Sequence, residues 1–216
     1  MQSKESGGDP ERPGLRLRKK LATRQRISDV ATQLFATRGF DHVTVAEVAE
    51  AAGVSPMTVF NHFPRKEDLF LDRIPEAVDL FGTAVRERAG DESPLAALRR
   101  MLLDQVEQRH PLSAIGDRFP RFWRVVLDSP ALRARAREGL EELEDALAAE
   151  VAAGTGAAPD DPRARLYAAL VVAAYRSVYV TTAARLIAGE SAEGIVGDHL
   201  ARLNAAFDAL ERALEG

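Results

Sequence analysis

The fold is decided by residues 43–70, which read VTVAEVAEAAGVSPMTVFNHFPRKEDLF. Thr44 is followed three positions later by Glu47, the spacing at which two side chains cap the first turn of a helix reciprocally. The apolar residues after Thr44 recur at helical spacing, and Gly53 then permits a sharp change of direction. The stretch therefore predicts a short, capped helix that ends in a tight turn.

A second short helix is expected directly after this turn. Ser55 provides an N-cap and Pro56 fits the first helical position, where its missing N–H is not needed. The helix is expected to end near Phe63-Pro64. Two helices of this length joined by a tight turn have the dimensions of a helix-turn-helix, with apolar residues that pack one helix across the other: Val48, Val54, Val59 and Phe63.

The outward face of the second helix carries small or hydrogen-bonding groups and no acid, namely Ser55, Pro56, Met57, Thr58, Phe60, Asn61 and His62. Such a face can enter the major groove of duplex DNA without repelling its phosphates. Asn61 has the paired donor and acceptor that match an adenine edge. Free N–H groups at the start of the helix can meet a phosphate.

Charge is distributed unevenly along the chain. Residues 1–66 hold 11 basic and 7 acidic side chains, whereas residues 67–216 hold 18 and 26, for a net charge of −4. The segment 15–26 carries six basic residues and no acid: Arg16, Arg18, Lys19, Lys20, Arg24 and Arg26. A basic end on an acidic body favours a local contact with a polyanion. The alternative is an ordinary solvated helix face.

The 43–70 segment resembles the DNA-binding signature of the TetR family of bacterial repressors. The positions that match are Thr44, Val45, Val48, Ala49, Ala52, Gly53, Val54, Ser55, Thr58, Phe60, His62, Phe63, Lys66 and Leu69. The resemblance implies that Thr58, His62 and Lys66 contact phosphates. It also implies that Met57 and Asn61 read base edges near Pro56, and that Arg24 and Arg26 meet the backbone or a minor groove.

The expected DNA-binding set is Arg24, Arg26, Thr44, Ser55, Pro56, Met57, Thr58, Phe60, Asn61, His62 and Lys66. One position departs from the family pattern: residue 60 is most often tyrosine, whose hydroxyl bonds a phosphate, and Phe60 lacks that group. Other roles remain open for some members of the set. Thr58 can simply complete the start of its helix, Phe60 can belong to the core, and His62 can be an ordinary surface histidine.

The rest of the chain predicts an all-α protein of about nine helices, because no stretch alternates with a period of two. Residues 1–14 are rich in glycine, proline and charge and are expected to form a disordered tail. Residues 15–66 are expected to form the three-helix DNA-binding domain, and 67–216 a helical bundle for ligand binding and dimerisation. Further helices are expected at 66–89, with a kink or break at Pro75, and at 93–109, 117–127, 130–153, 162–188 and 191–214.

The last helix carries apolar residues at spacings of three and four: Val196, Leu200, Leu203, Phe207, Leu210 and Leu214. This seam and the preceding apolar helix are expected to form half of a four-helix homodimer interface, or else an internal bundle.

Bulky side chains are candidates for an effector pocket: Met101, Phe119, Phe122, Trp123, Tyr167, Tyr175 and Tyr179. Arg176 is added because a buried arginine needs a partner. The run 129–148 and the helix after Pro162 resemble a subgroup of the family with acyl-CoA-like ligands, so the effector is expected to be apolar, aromatic or acyl-type.

Other classes of protein find little support in the sequence. There are no cysteines, the four histidines lack metal-ligand spacing, and no nucleotide-binding or catalytic motif occurs. We therefore expect no enzyme, no cofactor, no metal and no membrane span, and a cytoplasmic location. The main prediction is a homodimeric repressor that a small molecule releases from pseudo-palindromic, double-stranded operator DNA. The alternative is a helical small-molecule-binding or interaction protein without specific DNA binding.

Overall fold

A computed structural model of the chain describes residues 11–158 and 160–215. Within those ranges the protein is all-helical, as predicted, with nine α-helices, two short 3₁₀ turns at Glu67–Leu69 and Pro111–Ser113, and no strand. The helices are α1 (Glu11–Arg38), α2 (Val45–Ala51), α3 (Pro56–His62), α4 (Ile74–Arg86), α5 (Pro94–Glu107), α6 (Phe119–Asp128), α7 (Pro130–Thr155), α8 (Pro162–Ile187) and α9 (Ala192–Glu215).

Local capping explains where the short helices begin. The Thr44 hydroxyl accepts from the Glu47 N–H at 3.2 Å, and the Glu47 carboxylate accepts from the Thr44 N–H at 2.8 Å, which confirms the capping box. Helices α3, α5 and α7 each start with a serine N-cap followed by proline. These starts are specified within four residues of sequence, and so they could be predicted.

The predicted tail is only partly tested. Residues 1–10 lie outside the described residues, whereas residues 11–14, which we also assigned to the tail, form the first turn of α1. Proline at position 13 is compatible with this, because the first turn of a helix does not use its backbone N–H groups.

The predicted helix at 66–89 is wrong in its first part. The chain makes a 3₁₀ turn at Glu67–Leu69, leaves helical conformation, and starts α4 at Ile74 with Pro75 in the first turn. Proline fits there because no earlier carbonyl needs its N–H, whereas inside a continuous helix it would remove a hydrogen bond and clash. The expected break near Pro75 is therefore confirmed, because Pro75 starts a separate helix, and the alternative of a kink within one long helix is wrong.

Packing divides the chain into two compact units, with the boundary between Asp72 and Arg73. The first unit packs α1, α2, α3 and the first 3₁₀ turn around side chains that are at most 1% exposed: Ile27, Ala31, Phe35, Val48, Val59, Phe63 and Leu69. Leu69 and Phe70, which we placed in the second domain, are buried here, and the Phe70 ring meets Phe35 edge-on at 6.0 Å. The residues just after the turn thus complete the three-helix core.

The second unit is a helical bundle in which α8 packs against α6, α7 and α9. Among the described residues, α8 is long and apolar enough to cross a membrane by length and composition alone, and 39% of its most apolar window is buried in the bundle. The central helix of a soluble bundle has the same composition. We therefore assign α8 to the bundle.

Candidate functional site

The position of α3 follows from a tight turn and an apolar contact. Gly53 adopts a left-handed conformation, with φ at 65°, and its N–H donates to the oxygen of Glu50. Only glycine takes this conformation without strain, so the chain reverses within a few residues. Val59 and Phe63 of α3 are buried in the first unit, which leaves the other side of the helix facing outward.

The outward side of α3 presents two large apolar groups beside an amide. Met57 is 68% exposed and Phe60 is 47% exposed, and Asn61 is also exposed. Residues spaced by three and four share one face of a helix. This face is not packed against the core of the first unit. Its amide can pair with base edges, and its apolar groups can contact thymine methyl groups.

The hydroxyl groups at the start of α3 are already hydrogen-bonded within the helix. The Ser55 hydroxyl accepts from the Thr58 N–H at 3.1 Å, and the two hydroxyl oxygens lie 2.9 Å apart. Thr44 caps α2 in the same manner. These three residues therefore support the turn structurally, and any contact of theirs with phosphate comes in addition to this role.

Two of the basic residues that we assigned to DNA are engaged inside the first unit. The Lys66 ammonium donates to the Phe40 oxygen at 2.6 Å and lies 4.1 Å from the Phe40 ring centroid. Burial lowers the pKa of the Lys66 ammonium, although Asp41 and other acids oppose this. Arg24 donates to the oxygens of His62 and Asp72 and covers the Phe63 ring.

A sequence signal for the position of Arg24 was available. Positions 24, 28, 31 and 35 follow one another at spacings of four, three and four, so Arg24 continues the buried face of α1 that includes Ser28, Ala31 and Phe35. Arg26 lies off this stripe and is exposed, as are Arg16, Arg18, Lys19 and Lys20. The basic side chains of α1 that are exposed and can reach a phosphate are therefore Arg26 and those before Arg24, and not Arg24 itself.

His62 lies at the end of α3, partly buried. Burial, and then the positive charges of Lys20 and Arg24, lower the pKa of the His62 imidazole. The ring is therefore mostly neutral near pH 7, because its ordinary pKa is already below that value. A neutral imidazole can still donate a hydrogen bond to a phosphate oxygen, but it adds no charge to the interface.

The predicted effector residues fall into separate groups in the second unit. Phe119, Phe122 and Trp123 stack edge-on in sequence along α6, with centroid distances of 6.0 Å and 5.3 Å. Tyr175 and Tyr179 of α8 stack at 4.2 Å. Met101 of α5 is buried and Tyr167 of α8 is partly buried. A surface groove of about 230 Å³ between α5 and α9 contains none of the predicted residues; it is lined by Leu95, Ala96, Arg99, Arg100, Leu103, Asp104, Phe207 and Glu211.

One expectation about the second unit is corrected, and another remains open. Arg176 is exposed, because it lies on the side of α8 that faces away from the bundle, together with Ala173, Ser177 and Val180. Within the α9 seam, Leu203, Phe207 and Leu210 are buried by the chain itself, whereas Val196 and Leu200 are partly exposed and Leu214 is exposed, so the homodimer interface expected there stays a prediction. An apolar helical stripe can be buried by its own chain or by a partner, and spacing alone does not distinguish these cases.

Among the residues that the structure describes, no cluster of three or more histidine, cysteine or acidic side chains is positioned to hold a metal ion. The site with the most distinctive geometry is therefore the exposed face of α3, held by a short turn over a three-helix core. This arrangement defines a helix-turn-helix DNA-binding regulator.

Comparison with known proteins identifies the family. The profile of bacterial regulatory proteins of the tetR family matches residues 27–72, and the profile of the MftR C-terminal domain matches residues 92–215. The chain belongs to the TetR family of transcriptional regulators. It is 36% identical over 155 residues to the HTH-type transcriptional regulator TcmR of Streptomyces glaucescens, covering 70% of this chain and 69% of TcmR.

A second curated relative matches about half of the chain, and solved structures match most of it. The uncharacterized regulator YvkB of Bacillus subtilis is 30% identical over 107 residues, which are 49% of this chain and 57% of YvkB. Among solved structures, a TetR-family protein from Mesorhizobium loti superposes with a TM-score of 0.57 at 18% identity, covering 90% of this chain and 97% of that one. The SmeT–triclosan complex superposes with a TM-score of 0.54 at 17% identity, covering 89% and 91%. At these identities the structural matches establish the fold alone.

Proposed function

We propose that this regulator is a homodimeric repressor that reads a pseudo-palindromic operator through α3 and is released from it by a small molecule. The observation that carries the proposal is the exposed face of Met57, Phe60 and Asn61. Here two exposed apolar side chains flank an amide that can pair with adenine, a combination that suits base edges and thymine methyl groups in a major groove. A DNA target also places the protein in the cytoplasm.

The division of labour follows the two units. Residues 15–66, extended by the segment to Asp72 that completes their core, would bind DNA, and the second unit would bind the effector and dimerise. Exposed Arg26 and the basic residues before it would neutralise phosphates. Effector and DNA bind the same molecule, so their affinities are coupled. If the effector binds the DNA-free protein more tightly than the DNA-bound protein by some factor, a saturating effector lowers the affinity for DNA by that factor.

Dimerisation through α8 and α9 is supported by the unburied side of α8. Leu166 is 59% exposed and Val180 is 62% exposed, and Ala173, Arg176 and Ser177 lie between them on the same side of the helix. A stripe of this kind suits an interface in which the same surface of each protomer meets its copy. Two-fold symmetry would present two copies of α3 to two half-sites of DNA.

Selection of binding sites from random duplex DNA tests the proposal. We expect an enriched palindrome for the wild-type protein, and loss of preference at particular base pairs for Asn61→Ala. Asn204→Ala is a matched control, because it removes the same amide from α9 in the second unit. If no sequence is enriched, even after unfolding and refolding to remove a bound effector, the proposal is wrong.

A further inference from the structure

Several polar side-chain atoms in the described part of the second unit are buried without a hydrogen-bond partner, and two of them, on Tyr179 and His199, belong to rings that touch each other. Tyr179 of α8 is 5% exposed and His199 of α9 is 1% exposed. The Tyr179 hydroxyl and the Nε2 atom of His199 find no partner among the described residues. Burial of a polar group in this state costs stability, and nearly all such groups in folded proteins are paired.

The two side chains lie together and are held in place. The Tyr179 and His199 rings meet edge-on, with centroids 5.0 Å apart at 84°. The other ring nitrogen of His199, Nδ1, is 2.8 Å from the Thr182 hydroxyl. This contact positions the imidazole. If Nδ1 accepts the Thr182 proton, Nε2 carries the ring proton and donates; if Nδ1 donates to the Thr182 oxygen, Nε2 accepts.

The rings that pack around the pair are aromatic and uncharged. Tyr175 stacks on Tyr179 at 4.2 Å, and Phe81 meets Tyr175 edge-on at 5.3 Å. Asp198 is next to His199 in sequence, but its carboxylate accepts from Arg185 and Arg202. A charged ligand group would lose its hydration here without gaining an opposite charge, whereas a neutral oxygen would gain hydrogen bonds.

We infer that Tyr179 and His199 form the hydrogen-bonding end of the effector site, and that the effector is an uncharged aromatic molecule with a hydroxyl or carbonyl oxygen that bonds to them. The inference rests on the proposed function, because it names the ligand class of the same effector site. His199 and Thr182 were not among the residues predicted from the sequence. Burial lowers the pKa of the His199 imidazole to about 4, which is consistent with a neutral site near pH 7.

Calorimetric titration of the full chain with 2-naphthol, naphthalene and 2-naphthoate separates the possible ligand chemistries. These probes share one ring system and carry a neutral oxygen, no oxygen and a negative charge, respectively. We expect 2-naphthol to bind about tenfold more tightly than naphthalene, as one or two hydrogen bonds would produce, and 2-naphthoate to bind more weakly than 2-naphthol. If 2-naphthol does not bind, or if all three probes bind equally, the inference is overturned.

Variants identify the side chains responsible. Tyr179→Phe removes only the hydroxyl, and His199→Asn places an amide where Nδ1 meets Thr182 while deleting Nε2. Each should lower the affinity for 2-naphthol about fivefold and leave naphthalene unchanged. Thr155→Val, which removes a hydroxyl of α7 that donates to the oxygens of Val151 and Ala152, should leave the preference intact. A preference that stays near tenfold in both Tyr179→Phe and His199→Asn would also refute the assignment.

Thermal unfolding distinguishes ligand binding from a purely structural role of the Tyr179 hydroxyl. Because this hydroxyl has no partner among the described residues, Tyr179→Phe should not lower the melting temperature of the unliganded chain. A clear decrease would indicate that the hydroxyl stabilises the fold and would count against the inference.

Measuring operator binding by the same proteins shows which of the two ideas fails, the ligand class or the proposed function. A protein that binds the selected operator but shows no preference for 2-naphthol refutes the ligand class alone. Failure to bind any DNA refutes the proposed function.

Discussion

The guanidinium of Arg24 lies 4.1 Å from the ring centroid of Phe63, the C-cap residue of α3. From this position it also donates to the oxygens of His62 and Asp72, so it joins α1 to the end of α3 and to the last residue of the first unit. The sequence resemblance assigns Arg24 to DNA. Its contacts show that it first serves to hold the recognition helix in place.

Arg24 and Arg26 should therefore respond differently to alanine substitution. We expect Arg24→Ala to destabilise the first unit by about 1–3 kcal/mol, because it removes two charge-assisted hydrogen bonds and a cation–π contact. Arg26→Ala should leave stability within about 0.5 kcal/mol of wild type, because its side chain is exposed. Urea denaturation measures both effects.

The two variants should also differ in how salt affects DNA binding. Arg26→Ala should reduce the slope of log affinity against log salt by about 0.9 for each phosphate that the protein no longer neutralises. Arg24→Ala should weaken binding without a matching change in slope, since its charge is used inside the protein. Equal decreases in stability for the two variants would contradict this division of roles.

Phe60 offers a substitution that should strengthen binding. The ring is 47% exposed, so a hydroxyl added in Phe60→Tyr meets solvent and should not disturb the fold. In the family, tyrosine at this position bonds a phosphate, and one such hydrogen bond would tighten operator binding about five- to tenfold. Fluorescence anisotropy with the selected operator measures the change, and unchanged or weaker binding would show that the ring does not approach a phosphate.

The exposed side of α8 predicts the dimer interface. Val180→Arg should convert the protein to a monomer, because two arginines would have to be buried against each other across a two-fold axis. Leu127→Arg is a matched control, since Leu127 is 48% exposed but lies on α6. Sedimentation velocity measures the mass, and a Val180→Arg protein that remains dimeric would place the interface elsewhere.

His199 should make the folded state sensitive to acid. Burial lowers the pKa of its imidazole from the ordinary 6.5 to about 4, opposed only weakly by Asp198, while the tyrosines and Thr182 packed around it are neutral in this range. Between these two pH values the unfolded chain binds a proton that the folded chain does not, so stability falls as pH decreases from about 6.5 to 4. The two pKa values correspond to a decrease of about 3 kcal/mol.

Urea denaturation between pH 7.5 and 4.5 measures this decrease. His199→Asn should show a smaller decrease than wild type, because asparagine does not titrate. The His62 pKa is also lowered, and its contribution has the same sign, but it cancels in the difference between the two proteins. Parallel curves for wild type and His199→Asn would show that the imidazole accepts a proton without unfolding.

The sequence determined the features that depend on a few neighbouring residues. Thr44 and Glu47, the Ser-Pro starts of three helices and the left-handed glycine at position 53 all act within about four residues, so the helix-turn-helix and the all-helical architecture could be predicted from local patterns. The outward face of α3 follows from the same periodicity.

Only the tertiary structure decided which groups are used within the protein and which remain available to a ligand. Lys66 binds an oxygen 26 positions away and Arg24 one 38 positions away, while Leu203 and Phe207 of the α9 seam are buried by their own chain and Arg176 is exposed. The polar pair of Tyr179 and His199 also forms across two helices. The type of a side chain predicts that it will be buried or paired. Which group it contacts depends on how the helices pack, and packing depends on the whole chain.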